Sequence, residues 1–476
     1  MSAPIPGHPV VAVVGGGITG LTAARRLAQQ GLQVVLLEGA DRLGGQVRTL
    51  DLAGRHVDVG AEALHLASPS TRRLIDELGL GADVIGARAG TSWIWTPRGR
   101  RQLPAGVGPA GPTRLRPVLG SGVMTLTGLL RAALEPLMAG LRRPLPTDDD
   151  TDMSVGGFVT SRFGGQVTDR FVDPLLGGLH AGDVNALSLR ACAPSLVPAA
   201  TSRRSLVLRR PPAPPARPAG SAAPIMFASW PGGLSMLTKA LLRDVQVDVR
   251  LGARVTALRH DDDGYQLDVA GQPPVSADAV ILAIPSAAAA TLVQPFASRA
   301  GDLLKQQRSA RIATVVLGFP RERVSSLPAL RGNGILVPSS TGTLLKAVTH
   351  LSTKWPHLDD SDTYLVRVSA GRDGSDEITR LDDDELVRRL LADLRRFTGI
   401  DAEPTLVHVQ RWDSGLPQLH VGHLERLRSV REELAATIPG VHLAGAAYEG
   451  VGLTSCLTSG QQAADAVITD LRGGDR

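Results

Sequence analysis

The chain has 476 residues, of which 43% are hydrophobic and 20% charged, with a formal net charge of +5. A chain this long outgrows a single core, so two or three domains are expected, and the composition is that of a folded protein. Aromatic residues make up only 3% of it, which argues against a nucleic-acid stacking surface.

Cys192 and Cys456 lie far apart without ligand-like histidine spacing. A disulfide framework or metal site is therefore not expected, and a reducing cytoplasm fits. No charged and apolar leader precedes the first strand. The longest apolar run, Ala279 to Val293, is broken by Pro285, so neither a signal peptide nor a transmembrane segment is expected. The basic residues are scattered and nearly all arginine, with four lysines (Lys239, Lys305, Lys346, Lys354). Such a balance suits an acidic substrate or an anionic membrane surface.

In chain order, Val10 to Val14 is a β-branched run leading into Gly15-x-Gly17-x-x-Gly20. A helical pattern follows over Leu21 to Gln30, and a second strand, Val34 to Leu37, ends on Glu38. The first glycine suits a tight turn, the second lets backbone approach a pyrophosphate, and the third lets helix and strand pack closely. Glu38 stands where a carboxylate accepts hydrogen bonds from a ribose 2′-hydroxyl, leaving NAD or FAD as the dinucleotide. Next comes Asp41-Arg42-Leu43-Gly44-Gly45-Gln46, which resembles the second fingerprint of the flavin-containing amine oxidase superfamily and favours FAD. Paired glycines admit backbone to pyrophosphate, and the guanidinium adds charge-assisted hydrogen bonds.

Arg55 to Ala63 reads as a strand ending in a small-residue turn, and Thr71 to Leu80 as a helix. Trp93 to Trp95 and Arg101 to Pro104 predict a hairpin. Pro117 to Leu145 predicts a buried helix pair rather than a surface helix dipping into a bilayer, because Arg131 and Glu135 interrupt its leucines. Ser154 to Phe163 and Asp173 to Leu179 continue a helical insert. The Pro- and Arg-rich stretch from Ser202 to Ala222 reads as a linker.

Ser229 to Leu234 caps a helix through Leu242. Strands are then expected at Val245–Val249, Arg254–Leu258, Tyr265–Val269 and Ala279–Pro285, in a re-entered nucleotide domain. A second insert carries strands at Thr314–Leu317, Leu344–Val348 and Tyr364–Ser369 and a helix at Asp383–Phe397; a sheet with a helix behind it suits a substrate wall. The strand Val407–Trp412 reads as the return to the first domain. The strand from Val441 and the helix Thr454–Leu471, preceded by Gly450-x-Gly452, would aim a positive helix end at a flavin pyrimidine.

Three further stretches carry a resemblance that runs nearly end to end: Leu176 to Asp183 with Leu187 to Arg190, Trp412 to Gln418, and Tyr448 to Gly452 with Ser459-Gly460. With the two fingerprints, they make the chain similar to the protoporphyrinogen/coproporphyrinogen oxidases, oxygen-dependent FAD enzymes of haem synthesis. The resemblance implies an α/β flavoprotein with a Rossmann-like FAD domain, α+β inserts and a substrate-binding sheet domain. The expected FAD-binding domain is 1–88, 226–298 and 405–476, with a helical insert at 89–200, a linker at 201–225 and a substrate domain at 299–404.

It further implies FAD held by Gly15, Gly16, Gly17, Ile18, Thr19 and Gly20, by Glu38 with Gly39, and by Arg42, Gly44, Gly45 and Gln46. Gly60, Ala61, Glu62, Ala63, Val255, Trp412, Gly445, Val451, Gly452 and Leu453 complete that set. The implied partners are a porphyrinogen and O2, with a peripheral membrane contact and handover to a ferrochelatase left open. Coproporphyrinogen III is expected ahead of protoporphyrinogen IX, with an oxidase or desaturase of a specialised metabolite as the alternative. No residue reads as a general base; His65, His180 and Glu449 are the candidates, each better suited to a structural or cofactor contact.

Overall fold

A computed structural model describes residues 9–148, 150–208 and 225–473. Two compact units emerge, one from Met1–Ile85, Phe227–Arg308 and Glu425–Arg476, the other from Gly86–Met226 and Ser309–Leu424.

The first unit is built on a five-stranded sheet ordered Asp248–Arg250, Gln33–Leu37, Val10–Val14, Ala279–Leu282, Val441–Leu443, with every pair parallel. A parallel sheet covered on both faces requires strands apolar throughout. The central strand meets this: Val11 and Val13 enter one core cluster, Ala12 and Val14 the other. The first cluster includes Leu21 and Leu27 of the helix Ile18–Ala28 and Ala464 and Val467 of the helix Leu453–Gly473. The second includes Leu292 and Val293, and Tyr265 and Leu267 from a small antiparallel sheet. The expected nucleotide-domain strands are present, with ends moved by a few residues.

The second unit centres on a seven-stranded sheet, ordered Leu406–Pro417, Ser309–Pro320, Thr363–Ala370, Leu345–His350, Gly334–Leu336, Ser92–Thr96, Gly99–Gln102. The helix Asp383–Thr398 covers one face with Leu386, Leu390, Leu394 and Phe397, which recur at helical spacing. Asp382 caps its start by accepting from the Glu385 amide at 2.8 Å, and Gly399 ends it at φ +79°.

This sheet moves the expected boundaries. Leu406–Pro417 pairs antiparallel with Ser309–Pro320, so residues 405–424 belong here and not to the first unit. The hairpin Ser92–Thr96 with Gly99–Gln102 joins the same sheet through Gly334–Leu336, so the helical insert and the substrate domain form one body. The helix Ser298–Gln306, expected in the substrate domain, buries Ala300 and Leu304 in the first unit. Residues 209–224 of the expected linker lie outside the described residues.

The expectation of a buried helix pair is corrected. Leu126–Ala133 and Glu135–Leu141 turn Gly128, Ala132, Glu135 and Ala139 inward. Leu126, Leu130, Leu134, Leu137 and Leu141 stay between 47% and 72% exposed. The polar residues reverse the usual order. Glu135, fully buried, pairs with Arg162 at 2.8 Å and accepts the Leu206 amide at 3.1 Å, with the Ser205 hydroxyl on its other oxygen. Arg131 spreads over the carbonyls of Ser161 and Arg162. Removing one partner of a buried pair strands the other charge. Glu135→Ala should therefore lower stability by about 3–5 kcal/mol, read as a shift of the urea midpoint at unchanged slope.

Candidate functional site

The first unit carries the glycine turn. Gly15 sits at φ +107°, and a Cβ on Gly20 would lie 1.9 Å from the Gly15 carbonyl oxygen, so strand and helix meet backbone to backbone. The helix Ile18–Ala28 starts there with Gly17 as its N-cap and no side-chain cap. A Cβ on Gly17 would meet nothing within 4 Å, so the space before the first helical amides is open. An uncapped helix start facing free space fits a pyrophosphate.

Glu38, at the end of the neighbouring strand, accepts the Gly16 amide on Oε2 at 2.6 Å and the Ala40 amide on Oε1 at 2.8 Å. Each oxygen keeps a lone pair for a diol. Gly39 lies beside Arg254 across the edge of the same sheet.

The second glycine pair closes over the first. Gly44 donates its amide to the Gly16 carbonyl at 2.8 Å, and Gly44 and Gly17 form an isolated parallel bridge. Arg42 donates to the Leu43 and Gly45 carbonyls at 3.2 and 2.7 Å, holding the loop in shape. Burial and then Arg48 lower its pKa, against Glu38 and Asp41. The chain then runs back through Gln46, whose carbonyl accepts the Ala61 amide at 3.0 Å, bringing the turn 60–63 alongside.

Sequence reasoning passed over Asp58, which pins that turn. Buried, it accepts from the Thr49 hydroxyl at 2.5 Å, the Leu234 amide at 3.0 Å and the Ser229 hydroxyl at 3.3 Å. An acid between Val57 and Val59 in a strand was the available signal.

The remaining predicted residues fall in several places. Gly445, at φ +124°, donates its amide to the Ser459 hydroxyl at 2.9 Å, and Val451, Gly452 and Leu453 lead into the last helix. Val255 begins a strand of the small antiparallel sheet. Trp412 belongs to the second unit, where it pairs with Ile312.

The three acid–base candidates have different surroundings. His65 is exposed, its ring 5.2 Å from Phe227. Glu449 is ion-paired with Arg431. His180, in the second unit, is buried, and burial pushes its pKa down to about 4, so it is neutral at neutral pH. Its carbonyl accepts from Gln418 at 2.9 Å, a structural contact.

Residues 18–468 match the family described as flavin containing amine oxidoreductase. The chain is 34% identical to the coproporphyrinogen III oxidase of Mycobacterium bovis, over 96% of this chain and 97% of that protein. It is 31% identical to the coproporphyrinogen III oxidase of Bacillus subtilis (strain 168), over 98% of this chain and 99% of that one. A solved structure from Exiguobacterium sp. 255-15, provisionally assigned as a protoporphyrinogen oxidase, superposes with a TM-score of 0.83 at 28% identity, covering 97% of this chain and 99% of that one.

The chain belongs to the flavin-containing amine oxidoreductase family. It is a flavin-dependent oxidoreductase with the α/β fold of that family. Glu38→Ala removes an ionised acceptor from two amides of the cradle. Flavin affinity should fall about tenfold or more, the scale of one hydrogen bond to a charged group. The ratio of flavin to protein absorbance in the purified variant checks this.

Proposed function

We propose that the protein is an FAD-dependent oxidase that converts coproporphyrinogen III to coproporphyrin III in haem biosynthesis. The reaction removes six electrons, with O2 as acceptor and H2O2 released. The observation that carries this reading is similarity over nearly the whole length to coproporphyrinogen III oxidases, at 31–34% identity. The cradle supports FAD as the particular flavin: an uncapped helix start suits the pyrophosphate, and Glu38 suits the ribose diol.

Bound there, FAD would supply the hydride acceptor that O2 reoxidises. The chain's part is to hold and orient. Gly15 to Gly20, Glu38, Gly39, Arg42 and Gly44 to Gln46 would cradle the dinucleotide. Gly60 to Ala63, Val255, Gly445 and Val451 to Leu453 would provide its other contacts. His180, neutral and buried, is better suited to holding structure than to moving protons.

A cytoplasmic location and handover of product to a ferrochelatase complete the reading. The exposed leucines of Leu126–Ala133 and Glu135–Leu141, next to exposed Arg142 and Arg143, favour a peripheral contact with an anionic membrane surface. Protoporphyrinogen IX is the second reading, favoured by the likeness to the Exiguobacterium structure.

The test is aerobic incubation of flavin-loaded protein with each porphyrinogen, following porphyrin fluorescence and H2O2. Oxidation of coproporphyrinogen III well above the enzyme-free rate, and faster than that of protoporphyrinogen IX, is expected. Bound flavin with neither substrate oxidised would overturn the proposal in favour of a different substrate class.

A further inference from the structure

The sheet of the second unit has two unlike faces. Val315, Leu317, Leu345, Val366 and Val368 pack in one core with the helix Asp383–Thr398. The residues between them form the other face, where register partners Gln410, Thr314, Ser369 and Ala347 make a row across four strands. Beside that row the strand Leu345–His350 is bulged. Leu345 lies opposite Ala370 and Ala347 opposite Ser369, which leaves Lys346 as the extra residue. Bulges re-aim a side chain, and Leu345 and Val348 on either side both stay in the apolar core.

Lys346 is only 5% exposed. Among the described residues its ammonium makes no hydrogen bond or ion pair. The charges acting on it are those of Arg372 and Arg367, and with burial as the larger cause they push its pKa down to about 7. Arg372 is tied in place, donating to the Val337 carbonyl at 3.1 Å while the Val337 amide donates to the Lys346 carbonyl at 3.0 Å. Arg372 is also lowered by burial, with Asp173 opposing. That carboxylate already accepts the Ser339 amide at 2.7 Å on Oδ2. Lys346 thus feels two guanidinium charges, while Asp173 offsets Arg372. A buried amine in such company is unfavourable unless an anion joins it, because desolvation and like charge both oppose its protonated form.

We infer that Lys346, flanked by Arg367 and Arg372, forms an anion subsite that holds a carboxylate of the substrate. This rests on the proposed function, whose substrate carries four carboxylates. The lysine supplies a point charge at the bulge, and the two guanidinium groups beside it add to the positive field that a carboxylate would meet.

The experiment compares wild type, Lys346→Met and Lys346→Arg in the flavin-loaded protein. It measures kcat and KM for coproporphyrinogen III, equilibrium binding of coproporphyrin III by fluorescence, and the melting temperature. Lys346→Met should raise KM and the product Kd at least about tenfold with little change in kcat, the scale of one charge-assisted hydrogen bond. Its melting temperature should hold or rise, since an unpaired buried charge gives way to an apolar chain of similar length. Lys346→Arg should restore most of the affinity.

Unchanged KM and Kd in Lys346→Met would overturn the subsite while leaving the oxidase reading intact. Equal loss in both variants with a lowered melting temperature would also overturn it, as the mark of a packing role. If wild type oxidises no porphyrinogen, the functional reading fails, and the coproporphyrin III arm still decides the subsite. There a tenfold weaker Kd in Lys346→Met supports it and an equal Kd overturns it.

Discussion

Backbone lying directly against backbone at glycine is the constraint on which the first unit depends. It occurs twice around the helix Ile18–Ala28. Gly20 closes on the Gly15 carbonyl, and Gly460 of the last helix closes on the Thr19 carbonyl, where a Cβ would come within 2.3 Å. One contact holds the helix against its own strand, the other against a segment more than four hundred residues later. Together they fix where the helix begins, and thus where its free amides stand. Glu38 and the Gly44 amide then attach to the same turn through Gly16, so cradle, ribose acid and covering loop form one hydrogen-bonded object.

The first unit was legible in the sequence because its signals are local. Strand, glycine turn, helix and acid fall within thirty residues, and each is the cheapest chemical answer to a single geometric demand. The position of Glu38 at the end of the second strand followed from that. The second unit was less legible because its sheet is assembled from segments distant in the chain. Val407 to Trp412 reads as a strand by pattern, yet nothing local says that its partner is Ser309–Pro320 rather than the nucleotide sheet.

The helix pair shows a further limit. Charged residues among leucines normally mark the wet side, so Arg131 and Glu135 argued for leucines turned inward. The fold does the reverse, because Arg162, 27 residues from Glu135, supplies the charge that lets the acid be buried. A pairing partner that far away decides which face of a helix is inside, and hydrophobic periodicity carries no record of it. Lys346 is a similar case. Its place on the polar face depends on one unpaired residue in a ladder, and the strand pattern alone, Leu345 to Val348, shows only a lysine in an apolar run.

The order of segments also has a temporal side. The sheet that carries the glycine turn takes its edge strand from Val441–Leu443, and the face beside that turn is covered by Leu453–Gly473. A ribosome delivers the turn long before its cover, with the whole seven-stranded sheet in between. The nascent turn therefore waits with one apolar face uncovered while the second unit is being made. The second unit, gathered from just two stretches and complete by Leu424, has its parts available first. Maturation of the dinucleotide cradle thus waits on segments made more than four hundred residues after the turn, and a chain stalled before residue 441 would hold the fingerprint without the strand and helix that complete its unit.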